Sequence, residues 1–303
     1  MIVLNTEKEL THIEKWEDVT SRVDYREDID PRQHELESII GRYVIPDKVR
    51  CGLSNCHTQH TRGYLVATKS GVVTNIGRDC GKVYFGVDFE ELSAKFERDM
   101  TEKENRAKLD SLSFRIDDIK KQIEQLRHQE HGADWANKNI SRLTGSPKDV
   151  PPIISRQLSQ MIKKGEPVIR LQREATGEEI ARMEAAQGKS LPRPQYIEEP
   201  IGQIEGFDAL NPENNLRQLL VLDLEEHIKV FETLNVDTMS FADLKKWAKW
   251  EATIESTMER ASYAVQRSRQ LLTEANLRPL VRLANEPDEG AQFQKFLRQL
   301  AQP

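Results

Sequence analysis

The chain has few aromatic residues and no long apolar run, and each shortage excludes a class of protein. Aromatic residues make up 6% of the 303 residues, which argues against a large β-sandwich or barrel, because such side chains fill strands. No run approaches the roughly 18 apolar residues of a membrane-spanning helix, so we expect none. The first residues, MIVLNTEKELTHIEKWED, turn acidic after four apolar positions and do not fit a secretory signal.

The chain also lacks an excess of positive charge. Its formal net charge is −6, which argues against a general binder of polyanions. The distribution is uneven, with net −5 over residues 1–46, net +4 over 47–82 and net +5 over 141–173. Windows of this length drift by such amounts in many charged proteins, so the two basic segments are either binding surfaces or chance.

Cysteine is scarce and clustered. The three cysteines, Cys51, Cys56 and Cys80, all lie within one short segment. An odd, clustered set is poor evidence for a disulfide framework and better evidence for thiolate metal ligands in a reducing compartment. We therefore expect a cytoplasmic protein.

A histidine completes a possible ligand set in the pattern Cys51-x4-Cys56-x3-His60-x19-Cys80. Zinc favours four such nitrogen and sulfur ligands, and Cys3His is a common structural set. Between His60 and Cys80, the segment GYLVATKSGVVTNIG reads as a β-hairpin that returns the chain to the metal. His57 is the alternative to His60, and three free thiols with surface histidines are the alternative to any metal. A closed four-ligand site leaves no position for water, so the zinc is expected to be structural.

The segment HTRGYLVATKSGVVTNIGRDCGKVYF resembles a short zinc module, of treble-clef or zinc-knuckle type, found in proteins encoded by phages and viruses. The resemblance rests on Ile76-Gly77, Cys80 and Phe85, with Cys51, Cys56 and His60 at the positions of the upstream ligands. It covers only residues 51–85 of the chain, and the gap between the first two cysteines is wider than usual there. It implies a zinc ligand set and a phage or mobile-element context, but no activity.

The remaining chain reads as mainly helical. We expect a mainly α, elongated fold with a zinc-stabilised β-hairpin module, long coiled-coil-like helices and a C-terminal helical bundle. The expected segments are an N-terminal helical segment (1–46), the zinc module (47–87), a long helix (88–132), a mixed α/β region (133–211) and the bundle (212–303).

The long helix carries an uninterrupted heptad stripe. Its members alternate spacings of three and four residues; they are Leu109, Leu112, Ile116, Ile119, Ile123 and Leu126. The stripe predicts either self-association or antiparallel pairing with the helical pattern over 241–272. Helices 88–131 and 241–274 are thus the expected surfaces for a protein partner or a second copy.

No motif of an NTPase, dinucleotide-binding enzyme, zinc protease or serine hydrolase is complete, so we expect a non-enzymatic adaptor. Its zinc hairpin would contact DNA or RNA phosphates through the basic residues Arg50, Arg62, Lys69, Arg78 and Lys82. The first alternative is a protein-binding scaffold or complex subunit without nucleic-acid contact. The second is an enzyme with a dispersed site.

Overall fold

Most strands of the protein lie in its first 76 residues and form one antiparallel sheet in the computed structural model, which describes residues 1–6 and 9–300. The strand order in this sheet is β2-β1-β3-β4-β5. Its strands are β1 (Ile2–Asn5), β2 (Leu10–Ile13), β3 (Leu36–Arg50), β4 (Gln59–Thr68) and β5 (Val73–Ile76). The hairpin that the sequence predicts is β4 and β5, and it belongs to this wider sheet.

A second sheet of two antiparallel strands contains β6 (Val168–Glu174) and β7 (Tyr196–Gln203). The helices are α1 (Trp16–Thr20), α2 (Arg78–His128), α3 (Ala133–Gly145), α4 (Pro152–Lys164), α5 (Gly177–Gln187), α6 (Glu226–Phe231), α7 (Phe241–Glu251), α8 (Ile254–Leu271), α9 (Glu274–Leu277) and α10 (Pro287–Leu300). A π-helix spans Arg217–Glu225, and a 3₁₀ helix over Arg278–Leu283 follows α9. The expectation of a mainly α protein is confirmed.

The chain divides into two compact units at positions that differ from the five expected segments. Unit 1 contains Met1–Ser113 and Asn235–Glu251, and unit 2 contains Phe114–Leu234 and the chain from Ala252 onward. The boundary falls inside α2, and α7 belongs to unit 1. The helical pattern predicted over 241–274 is two helices, α7 and α8, which belong to different units, so residues 212–303 do not form one continuous bundle.

The helical segment expected at the N-terminus is wrong for the described residues, where strands occupy more of the chain than the short helix α1. Thr6 and Glu9, which fit a helix capping box, instead close the turn between β1 and β2. The Thr6 N–H donates to Glu9 O (3.0 Å), and the Glu9 N–H donates to Thr6 Oγ1 (3.1 Å). Leu36 and Ile39 have helical spacing but lie in β3, where a register shift follows each of them. A bulge adds a residue to a strand and so imitates helical spacing.

The core of unit 1 lies between the sheet and the first half of α2. Phe89, Phe96 and Met100 of α2 are buried in one cluster with Val66 and Ile76 of the sheet. Since burying a large apolar side chain contributes about 1.5–3 kcal/mol, this cluster holds the beginning of α2 in place. That beginning carries one of the three cysteines.

Helix α2 begins at Arg78, ten residues before the expected start at Asp88. Gly86 has φ +58° and ψ −132°, so it kinks the helix between Arg78 and the heptad stripe; glycine reaches this backbone region without the steric cost of a Cβ. Four members of the stripe are buried, namely Leu109, Leu112, Ile116 and Ile123. Because these side chains are already covered within one chain, the burial favours intramolecular packing over self-association. The coiled coil itself stays a prediction.

Unit 2 has its own apolar core, formed by α3, α4, β6, α8 and the C-terminal helical segments. Beside this core, the Asp208 carboxylate accepts hydrogen bonds from Tyr263 Oη (2.5 Å) and Arg267 Nε (2.6 Å). Partial burial raises the pKa of Asp208, but these two hydrogen bonds outweigh it and the net pKa is lowered. Among the described residues, no helix has both the length and the apolar content needed to cross a membrane.

Candidate metal centre and basic cleft

The three cysteines come from three different places in unit 1 and meet at one point. Cys51 directly follows β3, Cys56 lies in the turn before β4, and Cys80 lies in the first turn of α2. Their Sγ atoms all lie within 4.8 Å of one another, and the Cys56 and Cys80 sulfurs are 3.2 Å apart. A tetrahedral zinc with bonds of about 2.3 Å separates its sulfur ligands by roughly 3.8 Å. The cluster is therefore a candidate metal site.

Backbone hydrogen bonds fix the turn that carries the first two cysteines. Cys51 N–H donates to Thr58 O (2.9 Å), and Cys56 N–H donates to Leu53 O (3.1 Å). Leu53 is fully buried and anchors the turn in the core of unit 1. The thiols are thus held together by the fold of the chain around them.

The three thiols have different electrostatic environments. Burial raises the pKa of Cys51, and burial together with the Cys56 sulfur raises the pKa of Cys80 to about 12. Burial also raises the pKa of Cys56, but hydrogen bonds with Thr58 and with the other two cysteine sulfurs together outweigh it, so its net pKa is lowered. Metals bind thiolates, so a cation at this site must displace protons from Cys51 and Cys80, and its affinity should rise with pH.

His60 lies on β4 beside this cluster, although its nitrogens are not within the 4.8 Å grouping of the three sulfurs. Its Nδ1 is 2.9 Å from Tyr43 Oη, whereas its Nε2 is buried and has no hydrogen-bond partner in the described structure. Burial lowers the pKa of His60, which favours the neutral ring that metals bind. A Cβ on Gly77 would lie 2.9 Å from the His60 ring, so glycine is needed there for the ring to fit.

His57 has a different environment. It is half exposed, has φ +58°, and accepts a hydrogen bond on Nδ1 from Arg50 Nε (3.0 Å). Its ring also lies 3.7 Å from an Asp28 carboxylate oxygen. This ring is occupied by surface partners, so His60 is the better candidate of the two.

A chain of buried hydrogen bonds positions the His60 ring. Tyr25 Oη donates to Asn75 Oδ1 (2.7 Å), and Asn75 Nδ2 donates to Tyr43 Oη (3.2 Å) and to Arg50 O (2.8 Å). Asn75 is completely buried, and Tyr43 is nearly so. The orientation of His60 therefore depends on Asn75 through Tyr43.

Next to the cysteines, unit 1 has a cleft of about 490 Å³, which we call the basic cleft. Its lining residues are Lys48, Thr58, Gln59, His60, Thr61, Arg62, Gly77, Arg78, Asp79 and Cys80. The cleft lies where the register between β3 and β4 shifts. Val44 pairs with Arg62, but the next paired residue of β3 is Val49, which lies opposite His60. Four β3 residues, 45–48, therefore face Thr61 alone. Pro46 lies in this bulge, where its missing N–H removes no ladder hydrogen bond.

The five basic residues proposed from the sequence fall into two groups. Arg50 pairs with Asp28 (2.8 Å), Lys82 with Glu90 (2.6 Å), and Lys69 with Glu35. Arg62 and Arg78 instead line the basic cleft together with Lys48. In the described part of the chain, no salt bridge joins these three cations to a carboxylate. The cleft thus has three cations and one acid, Asp79.

Sequence reasoning missed three residues of this region. Lys48 belongs to the basic segment of the sequence but not to the five expected contact residues, although Pro46 beside it indicates an interrupted strand. Tyr43 and Asn75 carry no chemical motif, and only the hydrogen bonds of the folded chain show that they position His60.

Comparison of the chain with family models, with curated proteins and with solved structures gives no match. The resemblance of residues 51–85 to phage and viral zinc modules therefore stays a prediction.

Proposed function

We propose that Cys51, Cys56, Cys80 and His60 bind one structural zinc ion. The support is the sulfur cluster together with the buried, unpartnered Nε2 of His60. Ligation at Nε2 requires the proton on Nδ1, which then donates to Tyr43 Oη. The two lone pairs of that oxygen accept from His60 and from Asn75. With four protein ligands the metal has no open position, so its role is to stabilise unit 1.

We further propose that the protein is a non-enzymatic adaptor that binds nucleic-acid phosphates in the basic cleft. The carrying observation is that Lys48, Arg62 and Arg78 converge on one cleft and, among the described residues, form no salt bridge with a carboxylate. Its other lining residues are small or polar, and the single aromatic ring among them is that of His60, the proposed zinc ligand. Such a lining suits a sugar-phosphate backbone and has no tyrosine, tryptophan or phenylalanine on which bases could stack, so binding is expected to depend little on sequence.

The salt dependence of binding tests this proposal. Fluorescence anisotropy of the zinc-loaded protein with labelled mixed-sequence oligonucleotides gives the affinity at several salt concentrations. Three phosphate contacts predict a slope of log K against log salt of about −2.7 for duplex DNA and about −2.1 for single strands. Either single change, Arg62→Gln or Arg78→Gln, removes one phosphate contact. It should reduce the magnitude of the slope by about 0.9 for duplex DNA and by about 0.7 for single strands.

The matched control is Lys69→Gln, because Lys69 lies outside the cleft and pairs with Glu35. It should leave both affinity and slope unchanged. Equal effects of the Lys69 and Arg62 changes would contradict a defined cleft. No binding to DNA or RNA would contradict the proposal and favour the protein-binding scaffold.

A further inference from the structure

Unit 2 contains a groove of about 710 Å³ between α10 on one side and α9 with the following 3₁₀ helix on the other. Ile201 of β7, Pro279 and Val281 supply partly exposed apolar surface to this groove, and Leu297 lies beneath it. Leu297 is almost completely buried, and a Cβ on Gly202 would lie 3.0 Å from Pro279, so β7 packs closely against this wall. The groove is therefore a formed apolar concavity.

Arginines surround this apolar surface. Arg278, Arg282 and Arg298 line the groove and are exposed, and among the described residues the only acid in its lining is Glu274. Arg278 pairs with Glu274 (2.6 Å). Within the described residues, no salt bridge joins Arg282 or Arg298 to a carboxylate. The groove thus has two uncompensated guanidinium groups beside an apolar floor.

We propose that this groove binds an acidic peptide segment of a partner protein, with an apolar side chain in the groove and flanking carboxylates on Arg282 and Arg298. Charge complementarity carries the choice of occupant, because guanidinium forks match carboxylates in paired hydrogen bonds. The lining contains no aromatic ring on which a base could stack. This distinguishes the groove from the basic cleft of unit 1, whose lining lacks an apolar floor.

Panning a displayed library of random 12-residue peptides against the full-length protein tests the proposal, because the selection itself reveals which sequences bind. The recovered sequences should place aspartate or glutamate on both sides of a leucine, isoleucine or similar residue. A labelled synthetic copy of the most enriched peptide then gives dissociation constants by fluorescence anisotropy. The double variant Arg282→Glu/Arg298→Glu should weaken its binding by about 100-fold or more, since each of the two hydrogen bonds to a charged group contributes about 1.5–3 kcal/mol.

Lys295→Glu is the matched control, because Lys295 is exposed on α10 but does not line the groove. This variant should bind the peptide as tightly as the unmodified protein does. Both the control and the double variant should have the same melting temperature as the unmodified protein. Recovery of no acidic, apolar-anchored peptide would overturn the proposal, as would equal binding to the double variant. Binding of a single-stranded oligonucleotide that is lost when Arg282 and Arg298 are changed would also overturn the proposal, because the groove would then bind nucleic acid. The proposal is independent of the zinc site, and either can fail without the other.

Discussion

Asn75 is the residue on which the structure of unit 1 makes its sharpest stability prediction. The change Asn75→Ala removes hydrogen bonds to Tyr25 Oη, Tyr43 Oη and Arg50 O. Tyr43 Oη keeps its contact with His60, so two groups lose a partner, the Tyr25 hydroxyl and the Arg50 carbonyl. The Tyr25 hydroxyl is buried and the Arg50 carbonyl only partly so, so at about 1–3 kcal/mol for one unsatisfied buried group, unit 1 should lose at least about 1–3 kcal/mol.

A double-mutant cycle separates this effect from simple loss of packing. Tyr25→Phe alone leaves Asn75 Oδ1 without its donor and should cost about 1–3 kcal/mol. In the double variant the Tyr25 hydroxyl is absent, so Asn75→Ala no longer strands it. The summed costs of the two single variants should therefore exceed the cost of the double variant by at least about 1 kcal/mol.

Hydrogen–deuterium exchange resolved by peptide is the suitable assay, since it reports the opening free energy of β4 and β5 apart from unit 2. Faster exchange should be confined to unit 1. An Asn75→Ala cost below about 1 kcal/mol would refute the reasoning. So would additivity of the two changes within about 0.3–0.5 kcal/mol, the range found for independent sites.

Three further predictions concern the metal, the heptad stripe and acid stability. Tyr43→Phe should lower zinc affinity about 10- to 100-fold in a competition titration with a chelator, because it removes the partner of the His60 ring; unchanged affinity would argue against His60 as a ligand. The double change Ile116→Asp/Ile123→Asp places two carboxylates at buried positions and should cost several kcal/mol in urea denaturation; unchanged helicity and melting would show that the stripe does not pack. Asp208 has a folded pKa below its ordinary value, so its contribution to stability is full above about pH 5 and is lost as the pH falls through the folded pKa. Asp208→Asn should therefore lower the free energy of unfolding of unit 2 at pH 7. It should also weaken the dependence of that free energy on pH in the acid range.

The candidate metal site could be predicted because its parts are close in sequence. The hairpin of β4 and β5 returns the chain over a short distance, so cysteines on either side of it can meet without long-range information.

The N-terminal strands could not be predicted, because their hydrogen bonds depend on distant segments. β1 pairs with β3, where Ile2 lies opposite Tyr43. The residues near Ile2 in the sequence contain no pattern that indicates this distant partner. The bulges of β3 also hide the alternation that identifies a strand. The basic cleft depends on the same irregular strand, so its third cation, Lys48, became visible only in the fold.

The central claim is that Cys51, Cys56, Cys80 and His60 hold a zinc ion that stabilises unit 1 beside the basic cleft. Elemental analysis of the purified protein and of its Cys80→Ser variant tests it most directly, with thermal unfolding measured on the same samples. We expect about one zinc per chain in the protein, loss of zinc in the variant, and a lower melting temperature of unit 1 when the metal is lost. A protein that contains no metal, or a Cys80→Ser variant that keeps both its zinc and its stability, would contradict the account.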